Sequence, residues 1–321
     1  VALAFDFEAE YTVTVRPPWS SIEFVKTEYQ MEVKDNGSGL VASVTGLNDE
    51  ADGSYVLRLE APTISGTVSD PSGNESMAFA EILPIKQGMD YPDWEQAGYT
   101  NSEGRFALGL SEGTYEIYAK APYDSGKYGD GVPIGPIVVD SQGGVTVPDG
   151  QDANDFDLRL SNPTWSGRVL SPIDNSPVER ASICFEPSSF SYNNNCSSTN
   201  EDGEFALTAP EDFDGFDSGS RLTVEQWDSN ELSAVTFQGK DEMETLFGTW
   251  SEGNTYTGIE IFLALPNFEI TVTAGGEPAV NVWVSAETAD YEHLGGKSTD
   301  ANGVARLRLD DDQASDEIRI R

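Results

Sequence analysis

One histidine and two cysteines are all that 321 residues offer of the side chains that most often bind transition metals or do covalent catalysis. A single His rules out a His-rich metal centre and leaves little room for His-based acid–base chemistry. Positive charge is scarce too, with 18 Lys and Arg against 56 Asp and Glu and a net charge of −38. A surface of that sign repels phosphate backbones and anionic lipid, so neither nucleic acid nor a membrane surface is an expected partner. No apolar run approaches the ~20 residues needed to span a bilayer. No Gly-x-Ser-x-Gly elbow occurs to carry a nucleophilic serine. Helical periodicity is just as sparse. Its best candidate is the short Lys240–Phe247 segment that follows Gly239.

What the chain has is alternation. Tyr115, Ile117 and Ala119 form one run, Phe156, Leu158 and Leu160 another, and Ile270 and Val272 a third. Runs of period 2 bounded by Gly and Pro read as half-buried strands, so the expected class is all-β. At 38% hydrophobic and 10% aromatic, the chain is too apolar for a disordered acidic tail and can bury true cores.

Two markers repeat with a period near 100 residues. Leu57-Arg58-Leu59-Glu60-Ala61-Pro62-Thr63-Ile64-Ser65-Gly66 returns as Leu158-Arg159-Leu160-Ser161-Asn162-Pro163-Thr164-Trp165-Ser166-Gly167, identical at seven of ten positions. A weaker copy is Ile261-Phe262-Leu263-Ala264-Leu265-Pro266-Asn267-Phe268-Glu269-Ile270. The second marker, Thr100-Asn101-Ser102-Glu103-Gly104, returns as Thr199-Asn200-Glu201-Asp202-Gly203 and Thr299-Asp300-Ala301-Asn302-Gly303. The first marker reads as a closing strand stopped by Pro, with the next opening strand following at once. The second reads as a polar turn in which Asn or Asp bonds nearby backbone and Gly supplies positive φ. This phase divides the chain into 1–61 (the C-terminal part of a sandwich), complete sandwiches at 62–162 and 163–265, and 266–321 (the N-terminal part of another). Linkers this short imply a semi-rigid rod. Residues 1–61 supply late strands and 266–321 early ones, so the expectation is either a window on a longer array or a protomer completed head-to-tail by its neighbour.

Ser65-Gly66-Thr67-Val68, Ser166-Gly167-Arg168-Val169, Pro177-Val178 with Ala181-Ser182-Ile183, the 199–205 turn, Thr114-Tyr115-Glu116-Ile117-Tyr118 and Phe156-Asp157-Leu158-Arg159-Leu160 together carry a family likeness. The chain resembles the carboxypeptidase regulatory-like family, a transthyretin-like, Ig-like antiparallel β-sandwich related to collagen-adhesin B-type repeats. The resemblance implies a fold more than an activity. Collagen-adhesin B-type domains often carry a Lys–Asn isopeptide bond with Lys on the opening strand. The opening strands 63–68, 164–169 and 267–272 hold no Lys, so no such bond is expected here.

Candidate sites are few. Cys184 and Cys196 flank one Asn-rich loop in an otherwise Cys-free chain, which points to a disulfide and an oxidising, extracellular setting; two reduced thiols are the alternative. Asn48, Glu50 and Asp52 before Gly53, and Asp300 and Asn302 before Gly303, space oxygen ligands as calcium loops do, but lack the downstream Glu of an EF-hand. Ordinary turn chemistry on an acidic surface is the competing reading, and no other cofactor is expected. Tyr91, Trp94 and Tyr99 in the loop-like 87–99 stretch are possible glycan contacts, or alternatively the cover of a sandwich end. Trp165 and Phe268 hold equivalent opening-strand positions and read as core or interface residues. His293 lies in 291–296, which reads as a surface loop. Asn74-Glu75-Ser76 and Asn195-Cys196-Ser197 match the glycosylation pattern.

The expected function is a non-catalytic extracellular stalk, surface fibre or adhesin that associates with itself or with neighbouring repeats. The alternative is an accessory carbohydrate-binding region of a secreted hydrolase. The acidity also fits adaptation to high salt.

Overall fold

Gly and Pro recur throughout, and among the described residues no strand exceeds nine residues. In a computed structural model of the chain, residues 8–18, 21–35, 40–45, 47, 55–89, 91–187, 195–210, 213–226, 231–288, 293–309 and 318–321 are described. The class is all-β, in tandem sandwiches. Two units are present: Val1–Pro122 with Gly131–Leu160, and Tyr123–Asp130 with Ser161–Arg321.

The first unit opens with β1 (Ala9–Val15), β2 (Thr27–Asp35) and β3 (Leu40–Val44), an antiparallel sheet in that order. Met31, Val33 and Val44 form a small core, with Tyr55 and Leu57 packed on it. The remaining strands are β4 (Ile64–Ser69), β5 (Glu81–Lys86), β6 (Gly98–Tyr99), β7 (Arg105–Leu108), β8 (Gly113–Lys120), β9 (Ile134–Val139), β10 (Val145–Thr146) and β11 (Phe156–Arg159). They form two sheets, ordered β11-β4-β7 and β10-β9-β8-β5-β6. Ile64, Val68, Phe106 and Phe156 from one sheet and Ile82, Tyr115, Ile117 and Ile137 from the other are buried, as period-2 burial of each inner face requires.

The second unit continues with β12 (Trp165–Leu170), β13 (Ser182–Glu186), β14 (Asn195–Ser198), β15 (Glu204–Leu207), β16 (Arg221–Glu225), β17 (Val235–Gln238), α1 (Lys240–Phe247) and β18 (Tyr256–Phe262). The sheets are β15-β12-β18 and β14-β13-β16-β17, and both contribute to one core. Trp165 lies at its centre, fully buried among Phe185, Phe213, Phe216, Phe247 and Trp250, with ring centroids 5.2–5.7 Å away. Its Nε1–H has no oxygen or nitrogen acceptor among the described residues and is walled in by those rings. Helix α1 joins the core through Met243 and Phe247. Beyond it come β19 (Phe268–Thr271), β20 (Thr273–Ala274), β21 (Glu277–Pro278), β22 (Trp283–Thr288), β23 (His293–Ser298), β24 (Val304–Leu307) and β25 (Ile318–Ile320). Here the ladders are β19-β24, β20-β21 and β23-β22-β25, around Ala286, Leu307 and Leu309.

The sandwiches are not antiparallel throughout. β11 runs parallel to β4, and β18 parallel to β12. Each closing strand therefore returns beside its own opening strand, and this explains the repeated Ser-Gly. A Cβ on Gly66 would lie 1.9 Å from the Phe156 carbonyl oxygen, and one on Gly167 would lie 1.9 Å from that of Ile259. Only glycine permits that approach.

Two local expectations are corrected. Residues 293–296 belong to strand β23 rather than a loop, and Phe268, 40% exposed, is not a core residue as Trp165 is, which leaves only the interface half of that expectation. β23 turns back against β22 with an irregularity at Ala286/Glu287, so its Gly295-Gly296 pair sits within a ladder, although it reads as a turn in the sequence.

Candidate functional site

The second marker is built the same way three times. Thr100, Thr199 and Thr299 are buried, each 2% exposed or less. Each hydroxyl donates to a carbonyl of the preceding turn, namely Met77, Val178 and Ala279. Each also accepts from a backbone N–H three residues on: Ala80 at 2.8 Å, Ala181 at 2.8 Å and Val282 at 3.0 Å. The turn so pinned holds one residue in the left-handed region: Phe79 (φ 61°), Arg180 (φ 58°) and Asn281 (φ 58°). Three unlike side chains share that backbone, so its conformation is imposed from outside by the Thr clamp.

The next residue caps the loop. Asn101 Oδ1 accepts from the N–H of Glu103 and Arg105, Asn200 Oδ1 from Asp202 and Glu204, and Asp300 Oδ1 from Asn302 and Val304, all at 2.8–3.0 Å. Gly104, Gly203 and Gly303 follow at φ 75°, 71° and 73°. Asp300 thus spends one carboxylate oxygen as two neutral amides do in the sister turns. Its other oxygen faces Arg306 at 3.4 Å. The backbone N–H bonds, and then Arg306, hold the Asp300 carboxyl below its ordinary range. Asn48, Glu50 and Asp52 lie outside the described residues. Among the described residues, no group of three or more His, Cys, Asp or Glu side chains is placed to hold a metal.

Cys184 faces Cys196 across the β13–β14 ladder and is disulfide-bonded to it, with Cα atoms 4.1 Å apart. The bond joins the two strands that lead into and out of the Asn-rich loop.

Tyr91, Trp94 and Tyr99 are all exposed, Trp94 by 58%. They flank strand β5: Tyr99 pairs with Glu81, and the Asp93 N–H bonds the Pro84 carbonyl at 2.7 Å. The Tyr99 hydroxyl donates to Glu81 at 2.8 Å, and partial burial together with that carboxylate pushes its phenol up to about 12. Tyr99 itself lies on β6, so the loop proper ends before it.

Two charged features escaped sequence reading. Lys297 on β23 is 3% exposed, and its Nζ donates to the Gln226 carbonyl. Burial raises the carboxyl of neighbouring Glu225 above its usual range, and Lys297 partly offsets the rise. An isolated Lys among polar residues carries no pattern that forecasts burial. Lys26 lies between Glu28 and Glu95, at 3.1 and 3.0 Å. Burial lowers its pKa, but the two carboxylates outweigh it, and the net shift is upward.

No protein-family model and no curated protein matches the chain. Among solved structures it is similar to the Bacillus anthracis TIE protein, at 12% identity and TM-score 0.19, over 93% of this chain and 52% of that one. It is also similar to the shaft pilin SpaA of Lactobacillus rhamnosus GG (9% identity, TM-score 0.20, 64% of this chain and 97% of that one). A third is BcpA, the major pilin subunit of Bacillus cereus, at 11% identity and TM-score 0.20, over 76% and 83% of the two chains. The chain spans about half the length of the TIE protein. At TM-scores near 0.2 these likenesses support no residue-level comparison. Among the described residues, no helix is long and apolar enough to cross a membrane.

Proposed function

We propose that this chain is a non-catalytic extracellular structural segment, a stalk, surface fibre or adhesin made of tandem β-sandwich modules. One observation carries the reading: the residues that repeat are consumed in building the module. Thr100, Thr199 and Thr299 pin turns, Asn101, Asn200 and Asp300 cap loops, and Gly66 and Gly167 admit a closing strand. A repeated catalytic or ligand site would instead repeat polar side chains with atoms to spare. The Cys184–Cys196 bond supports an oxidising compartment.

Surface labelling of intact source cells tests this. Antibody access and an oxidised Cys184–Cys196 pair are expected, whereas a reduced intracellular protein would sink the proposal. Head-to-tail assembly is the finer form of the same reading, and light scattering checks it: a strictly monomeric chain at micromolar concentration removes it. A second reading, a carbohydrate-binding accessory region, rests on the exposed rings of Tyr91, Trp94 and Tyr99. Binding on a glycan array that Trp94→Ala abolishes would favour it, and an array with no hits would end it.

A further inference from the structure

The β4–β5 turn carries an amide that the fold does not need but leaves in the open. Asp70 organises this turn. Its Oδ1 accepts the N–H of Asn74 at 2.8 Å and of Glu75 at 2.9 Å, and its Oδ2 accepts the Ser72 hydroxyl at 2.6 Å. Residues 72–76 are all exposed, and burial resumes at Met77. Among the described residues, Asn74 Nδ2 donates to Ser72 Oγ alone, at 2.9 Å. Asn74-Glu75-Ser76 is an acceptor sequence for N-linked sugar, and here it stands on a projecting turn of fixed geometry.

The sister turns separate this motif from the scaffold. Ser76 bridges Ser69, Pro177 bridges Leu170, and Pro278 pairs with Thr273. The triplets ending at these equivalent bridge positions are Asn74-Glu75-Ser76, Asn175-Ser176-Pro177 and Gly276-Glu277-Pro278. Proline at the third place has no hydroxyl and serves the turn equally well, so the turn itself does not call for Ser76. The chain's other sequons differ in setting. Asn195 lies in strand β14, its backbone paired with Phe185, and its neighbour Cys196 is locked in the disulfide. Asn36-Gly37-Ser38 lies outside the described residues.

We propose that Asn74 is an N-glycosylation site, modified by a lipid-linked oligosaccharide donor during export. The assignment rests on the extracellular reading above. Asn74 Nδ2 attacks the anomeric carbon of the sugar, the N–C bond forms, and the bond from that carbon to the donor's phosphate oxygen breaks. One amide proton leaves to base, and the lipid phosphate departs with the bonding electrons. The substituted amide keeps one N–H, enough to retain its bond to Ser72. The glycan would project from the rim of the first unit's complete sandwich, where an acidic surface alone would otherwise meet solvent.

Tryptic mass spectrometry of the full chain from its own source tests the assignment. Asn36, Asn74 and Asn195 fall on three separate peptides, 35–58, 59–86 and 181–221. The 59–86 peptide is expected to carry glycan mass that both Asn74→Gln and Ser76→Ala remove, with the melting temperature of deglycosylated chains unchanged by either. An exported, disulfide-bonded chain with bare Asn74 overturns this assignment alone. A chain retained inside with reduced Cys184 and Cys196 overturns the extracellular reading and this assignment with it.

Discussion

Thr199→Val isolates the hydroxyl of the repeated turn from its shape. The two side chains are close to isosteric, and Thr199 is fully buried, so packing is nearly conserved. The variant takes from the Val178 carbonyl a donor at 2.6 Å and from the Ala181 N–H an acceptor at 2.8 Å. Both residues are buried, at 4% and 0% exposure, so water does not replace the lost partner. A buried polar group left unsatisfied costs about 1–3 kcal/mol. Two of them set the expected loss at about 2–6 kcal/mol. For a module of ordinary size, where 1 kcal/mol moves the midpoint by about 4–8 °C, the melting temperature should fall by roughly 10–50 °C. Thr199→Ser keeps both bonds and loses a methyl, at about 0.8 kcal/mol. Thr245→Val, at an exposed helical position, should stay within about 0.5 kcal/mol. Chemical denaturation of the four proteins gives the ranking. If Thr199→Val lies within 0.5 kcal/mol of the parent, the clamp is not what holds the turn.

Gly167→Ala should cost several times more than Gly253→Ala, because the first drives a Cβ to 1.9 Å from the Ile259 oxygen while the second meets no atom within 4 Å. Gly253, at φ 77°, still pays about 1 kcal/mol for its conformation, and equal melts of the two variants would refute the close-approach argument. Replacing Cys184 and Cys196 by Ala opens a loop of 12-residue separation and should cost about 3 kcal/mol or less in the chain-entropy model; two titratable thiols in the unreduced parent would contradict the bond. Asp70, held down to about 2 by the Ser72 hydroxyl and then by backbone N–H groups, contributes stability that is present above the ordinary carboxylate pKa and is lost as pH falls towards 2. A carboxyl-carbon NMR titration with a midpoint near 3.9 would reject that. Asp300→Asn should fold and melt near the parent, since Asn101 and Asn200 do the same work; a melt that chelator lowers and calcium restores would instead assign a cation to that turn.

Much of this architecture is legible in the sequence because the demanding positions are backbone positions. Gly66 and Gly167, the positive-φ glycines 104, 203 and 303 and the Pro stops admit few substitutes, so they persist where surface residues drift. The Asn and Asp caps are legible for the same reason. The short helix α1 is legible too, since its Met243 and Phe247 lie one turn apart on one buried face. Three things are not. The parallel pairing of β4 with β11 and β12 with β18 joins strands about 90 residues apart, and local alternation says nothing of a strand's partner. The Thr clamp reads as part of a polar turn, because a buried Thr and a surface Thr look alike in sequence. The burial of Lys297 depends on where β23 meets Gln226, which no local pattern encodes. For the candidate site the balance tips the other way. The disulfide follows from two isolated cysteines, whereas the exposed Tyr91, Trp94 and Tyr99 are placed by hydrogen bonds along β5 that their own spacing does not reveal.

The third opening strand shows how far the repeats can diverge before their geometry changes. Gly66 faces Phe106 and Gly167 faces Phe205 across their antiparallel ladders, while at the same place in β19 Ile270 faces Ala305. Bulk has moved from one strand to its partner, so the pair fills a similar space and the β19–β24 ladder is kept. The other edge of the strand does not gain from that exchange. Glycine there serves a neighbouring carbonyl that comes within 1.9 Å of the Cβ position, and an isoleucine blocks that approach. Among the described residues β19 pairs with β24 alone. Any strand that joins its free edge, from the same chain or a second copy, therefore has to pair in a different register or at a wider spacing than β11 and β18 do. A head-to-tail assembly made by simply repeating the closing strand would meet Ile270 first.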